Sequence, residues 1–154
     1  MVHLHLMASH IPVIGVLLLI PLFLLALARR SDELSRVGLW GIAGLALAAL
    51  VVYFTGEPTE EGVERLAGIS EAMIERHEEI ALISTIALGV FGLLALGTLF
   101  RMRGKPLSRG IVASTLVGLI IVSGAFAWTA NLGGKIRHSE ITSAVASAPS
   151  EDHD

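Results

Sequence analysis

The sequence predicts an all-α fold, an integral membrane four-helix bundle running up and down, with both termini on the outer, periplasmic side. Three observations carry this. The 154 residues are 53% apolar and only 16% charged, with a mean hydropathy of +0.73, far from the balance of a water-soluble domain. Four apolar runs stand near residues 11–28, 37–54, 80–100 and 110–129, each close to the roughly 17–25 residues that cross ~30 Å of hydrocarbon. Finally, seven of the eleven Lys and Arg residues fall in two short connections: Arg29, Arg30 and Arg36 in one, Arg101, Arg103, Lys105 and Arg109 in the other. The positive-inside rule makes that face cytoplasmic, and the four runs make the protein multi-pass.

All four runs must be helical. In lipid each peptide group has to be satisfied within its own segment or in a closed barrel, and continuous apolar runs lack the alternation of barrel strands. Residues 1–141 then form one transmembrane domain, and 142–154, rich in Ser, Ala and acids, a flexible tail that includes His153.

The first run follows His3-Leu4-His5-Leu6-Met7-Ala8-Ser9-His10-Ile11-Pro12. Two geometries compete: a helix starting at Pro12, which suits a first turn, leaves His10 just outside it, whereas a helix starting near His3 puts His3 and His10 on one face. Ala26-Leu27-Ala28 resembles a signal-peptide cleavage site, but no basic residue precedes the run and Arg29-Arg30 follows it directly, so a retained span is expected.

The second run carries Gly38, Gly41 and Gly44, the third Gly89 and Gly92, the fourth Gly118 and Gly124. Such residues let helix backbones approach closely and also leave room for a flat cofactor. Tyr53, Phe54 and Trp128 fit an outer aromatic belt, Trp40 and Phe100 an inner one, and anchoring is their plainest role.

Between Glu57 and Glu79 eight glutamates face only Arg65 and Arg76, so the outer loop is strongly acidic. Ser70-Glu71 reads as a helix start, with early carboxylates on the positive end of the dipole. A helix unbroken from there to Phe100 measures about 46 Å and projects from the membrane. His77 then lies at the headgroup level on a stripe with Ile74, Ala81, Ser84 and Leu88 that faces the bundle, while Glu75, Glu78 and Glu79 spread over other faces.

After the fourth run, Gly133-Gly134 reads as a helix-ending signal that turns the chain across the bundle's outer end and presents Lys135, Arg137 and His138 together. These cations either anchor the helix at the membrane surface or pair with carboxylates such as haem propionates, which are costly at a low-dielectric edge without partners.

Five of the six histidines, His3, His5, His10, His77 and His138, are thus delivered to the outer face by three separate stretches. Imidazole is the commonest ligand for metals and haem iron. The absence of cysteine excludes disulfides, thiolate zinc sites, iron–sulfur clusters and covalently attached haem, so a cofactor must be held non-covalently. No Walker loop, dinucleotide-binding glycine motif, zincin motif or nucleophile elbow is present, and no nucleic acid is expected as a partner. None of the four apolar runs holds a residue of Asp, Glu, Lys, Arg or His, which argues against a proton or ion path through this chain alone.

The outer-face segments, around His10-Ile11-Pro12, Tyr53-Phe54-Thr55-Gly56-Glu57, Glu75-Arg76-His77-Glu78-Glu79 and Thr129 to His138, resemble those of the DUF2231-like family of small bacterial four-helix membrane proteins. The resemblance covers most of the chain. Relatives joined to Rieske or c-type cytochrome modules imply a redox setting, and no substrate.

The expectation is therefore an electron-transfer subunit, rather than a stand-alone enzyme, with haem b in the outer half of the bundle. His10 and His77 are the first-choice axial pair; His138 with His3 or His5 serves a second haem or replaces one of the pair, and Lys135 and Arg137 receive propionates. The acidic loop would steer a basic periplasmic c-type cytochrome or dock on a larger redox complex, and quinol is a candidate donor although no residue marks its pocket. Two alternatives stand beside it: an outer-face Zn or Cu site built from His3, His5, His77 or His138 with glutamates and Met7 or Met73, and a cofactor-free structural subunit of a respiratory or photosynthetic complex.

Overall fold

A computed structural model describes the backbone of residues 2–63 and 71–137 and the side chains of 8–55 and 72–135. The protein is all-helical over these residues: α1 (Val2–Arg29), α2 (Asp32–Val63), α3 (Glu71–Arg101) and α4 (Arg109–Arg137). All four are long and apolar enough to cross a membrane, so the chain has the make-up of a multi-pass membrane protein. Helix α1 packs on α2 and α4, and α3 packs on the same two neighbours, which closes a four-membered ring.

The helices begin earlier and end later than the apolar runs. Helix α1 starts at Val2 and passes through Pro12 and Pro21 without interruption, so the second of the two N-terminal geometries holds. The eight-residue connection expected from Arg29 to Arg36 is only Arg30-Ser31, because α2 starts at Asp32. Local chemistry explains the tightness. Ser31 N–H reaches Ala26 O at 3.0 Å and Arg30 N–H reaches Leu27 O at 3.4 Å, the paired bonds of a Schellman motif. Arg30 takes the left-handed position (φ 52°) that glycine usually fills, at a cost of about 1 kcal/mol. Ser31 then caps α2, its Oγ accepting from Leu34 N–H at 3.2 Å.

Charged groups lock this end to the α3–α4 connection. The Asp32 carboxylate accepts from Leu107 N–H at 2.7 Å and from Arg36 Nε at 2.6 Å, while Arg36 Nη2 donates to the carbonyl oxygens of Met102 (3.0 Å) and Lys105 (2.6 Å). Two carbonyls just beyond the end of α3 thereby gain a donor, Met102 O in addition to the Lys105 N–H it already accepts. Gly104 (φ 72°) makes the turn, and Ser108 Oγ caps α4 by accepting from Ile111 N–H at 3.3 Å.

The interior is filled by Val16, Phe23, Ile42, Leu88 and Leu119, none of them accessible, while Leu18, Leu47, Leu93 and Ile121 point outwards, each at least 65% exposed. An apolar exterior of this kind is stable in lipid and would be a liability in water. Small residues set the helix spacing. A Cβ on Gly38 would lie 2.7 Å from the Phe23 ring, one on Gly41 2.9 Å from Leu19, one on Gly92 2.6 Å from the Ala46 Cβ and one on Gly118 2.9 Å from Phe91; Gly15 meets Leu45 more closely still. Side chains therefore already fill the room that these glycines were expected to leave for a flat cofactor. Gly44, Gly89 and Gly124 meet nothing and are not packing positions within the bundle. Trp40, Phe54, Phe100 and Trp128 face outwards, as belt residues do, and Tyr53 meets Phe54 edge-on with ring centroids 5.8 Å apart.

Candidate functional site

His77 stands in the second turn of α3, on the face that also carries buried Ile74, Ser84 and Leu88, which agrees with the stripe read from the sequence. Its half-buried ring lies against α4, with Nδ1 3.1 Å from the carbonyl oxygen of Thr129. A carbonyl can only accept, so Nδ1 carries the proton, and in the neutral ring the lone pair belongs to Nε2. Metal- and haem-ligating imidazoles are commonly oriented by such a bond from the other ring nitrogen.

Two further residues build this arrangement. Ser84 Oγ is 3.0 Å from Thr129 Oγ1, which itself donates to Ala125 O at 3.1 Å; Ser84 is therefore the donor, and the two hydroxyls tie α3 to α4 just below the imidazole. Gly133, one turn beyond Thr129, gives the ring its approach, since a Cβ there would come within 3.1 Å of His77 Cε1.

The expected helix stop at Gly133-Gly134 is accordingly corrected: α4 continues through both glycines to Arg137, and Gly133 is a contact surface for His77. The chain does not turn across the bundle at that point. Lys135 remains exposed on the last turns of α4, and Arg137 is the helix's final residue, its side chain outside the described residues.

His10 is exposed on α1, between half-buried Ser9 and buried Pro12. It belongs to a helix that packs on α2 and α4, whereas His77 belongs to α3 across the ring. The helical start at Val2 puts positions 3 and 10 on one face and position 5 nearly opposite. The side chains of His3 and His5, and all of His138, lie outside the described residues, as do Ser70, Met7 and most of the acidic loop. Met73 is half-buried in the first turn of α3.

Among the described residues no group of three or more His, Cys, Asp or Glu side chains could hold a metal ion. A four-ligand zinc site is thus not assembled by these side chains. The interior of the bundle is closely filled, and the His77 imidazole stands near one end of it. An imidazole held through Nδ1 is of the kind that can ligate a metal or haem iron through its other nitrogen.

Compared with family models, curated proteins and solved structures, the chain matches none.

Proposed function

We propose that the protein is a membrane-bound, b-type cytochrome-like electron-transfer subunit of a bacterial inner membrane, holding haem at the outer rim of its bundle. The observation that carries this reading is the His77 imidazole, fixed through Nδ1 on the Thr129 carbonyl so that Nε2 is the ligating nitrogen. The second axial imidazole comes from the other outer-end histidines, His10 first, with His3, His5 or His138 as replacements or as ligands of a second haem. Lys135 and Arg137, at the end of α4, supply charge for propionates.

The bound haem would supply one-electron chemistry. The residues of the chain hold and orient it: Thr129 sets the tautomer, Gly133 admits the ring, and Ser84 fixes the level of Thr129 against α3. Held by two imidazoles, such a group would favour electron transfer over oxygen chemistry. A basic periplasmic c-type cytochrome, steered by the acidic α2–α3 segment, or a larger redox complex is the partner, with quinol as the candidate donor.

An up-down topology with both termini outside goes with this reading. It is supported by the order of contacts, in which Gly15, Gly41 and Gly38 pair with Leu45, Leu19 and Phe23, and Gly118, Thr129 and Gly133 with Phe91, Ser84 and His77. It is supported too by seven basic residues at the opposite end. A reduced-minus-oxidised difference spectrum with metal analysis tests the proposal: a haem signal lost in His77→Ala supports it, bound zinc or copper without haem favours the metal-site alternative, and neither leaves a structural subunit.

A further inference from the structure

At the end of the bundle opposite His77, the α1–α2 turn, the start of α2, the α3–α4 connection and the start of α4 line an open cavity of about 90 Å³. That is well above the ~10–15 Å³ that admits a single water. Arg30 and Arg109 line it from two sides, with Ser31, Leu27, Pro106 and Asp32. We propose that this cavity binds the phosphate of an anionic phospholipid headgroup, gripped between the Arg30 and Arg109 guanidiniums.

Charge, backbone and position each argue for this occupant. The negative charge in the wall, Asp32, is already committed, one oxygen to Leu107 N–H and the other to the Arg36 guanidinium. Arg30 and Arg109 are exposed, and their side chains enter none of the hydrogen bonds or ion pairs among the described residues, so two arginines without a counter-charge border the cavity. Arg30 is the only non-glycine residue with positive φ among those described, held at 52° where glycine would serve the turn without strain. An arginine kept in a glycine position is an outlier from which a role for its side chain can be inferred. The cavity wall is itself largely apolar, with Ala26, Leu107 and Val112 beside the charged groups, and Leu27 leads one turn along α1 to exposed Leu24, an apolar track for an acyl chain. Basic cavities between helices at the membrane surface recognise acidic headgroups, and guanidinium is the group suited to phosphate.

The inference rests on the membrane-spanning reading and is independent of haem ligation. Thermal unfolding of the full chain in dodecyl maltoside, with dioleoylphosphatidylglycerol, dioleoylphosphatidylcholine or inorganic phosphate added, tests it. Phosphatidylglycerol should raise the unfolding temperature by a few degrees, phosphatidylcholine and inorganic phosphate should not, and the rise should shrink in high salt. Arg30→Gly should unfold at a higher temperature than the parent, because the turn is relieved, and yet lose most of the response. Arg109→Gln should also lose it, whereas Arg103→Gln, outside the cavity wall, should keep it. Retention of phosphatidylglycerol in native mass spectrometry provides a second readout that does not depend on variant stability. Equal responses to the two lipids, an equal response to inorganic phosphate alone, or an undiminished response in both Arg30→Gly and Arg109→Gln would overturn the proposal.

Discussion

The His77 imidazole donates through Nδ1 to the carbonyl oxygen of Thr129 across 3.1 Å. Helix α4 is built to allow this, because Gly133 occupies the position at which any side chain would crowd the ring. The tautomer that results leaves the lone pair of the neutral ring on Nε2.

The two adjacent glycines should therefore behave oppositely. Gly133→Ala places a methyl 3.1 Å from Cε1 and should disturb the Nδ1–H tautomer, whereas Gly134→Ala meets nothing within 4 Å. Gly134→Ala should keep the tautomer and stabilise the last turns of α4 by roughly 0.5–1 kcal/mol, since glycine is unfavourable inside a helix. Imidazole ¹⁵N shifts of the cofactor-free protein, with thermal unfolding, distinguish the two; identical behaviour would contradict the contact.

Ser84 and Thr129 form a directed pair, with Ser84 donating to Thr129 Oγ1 and Thr129 donating in turn to Ala125 O. Ser84→Ala should cost about 0.6 kcal/mol, the usual size of an interhelical hydrogen bond in a membrane protein. Thr129→Val removes the acceptor and leaves the buried Ser84 hydroxyl without it, so its cost should be larger, about 1–2 kcal/mol. Detergent unfolding curves in which Ser84→Ala is the more damaging change would reverse the assigned direction.

Helices α2 and α3 meet closely where Gly92 faces Ala46. A Cβ at 92 would lie 2.6 Å from that of Ala46 and 3.6 Å from the Cα of Ala43. Gly92→Ala should destabilise the bundle by about 1–3 kcal/mol, and Ala46→Gly in the same chain should recover part of the loss. Strict additivity of the two changes would show that these residues do not touch.

Much of the fold was legible because membrane span length and apolarity are local properties. Helix ends and glycine roles were not. The start of α2 at Asp32 follows from the Ser31 cap and the Arg30 turn, features hidden by a basic stretch that reads as a loop. Gly133-Gly134 looks like a stop signal in isolation; only His77, 56 positions earlier, explains why α4 passes through it, and sequence order gives no hint of that contact. For the same reason Gly38 and Gly118 were readable equally as packing sites or as cofactor space until Phe23 and Phe91 were seen to fill them. Of the site itself, the sequence marked His77 and its stripe with Ser84, but not the carbonyl that orients the ring.

Topology can be tested cleanly because the chain contains no cysteine. Lys135→Cys should react with a membrane-impermeant maleimide in intact spheroplasts, and Lys105→Cys only after the membrane is opened. The reverse pattern would invert the orientation, and equal labelling of both from outside would refute an up-down arrangement.

The central claim is that His77 helps to hold haem, and an absorption spectrum of protein purified from porphyrin-replete cells tests it most directly. The parent protein should show a Soret band with reduced α and β bands of a six-coordinate b-type haem, greatly diminished in His77→Ala and retained in His153→Ala. Purified protein with no Soret band, or a band that His77→Ala leaves intact, would contradict it.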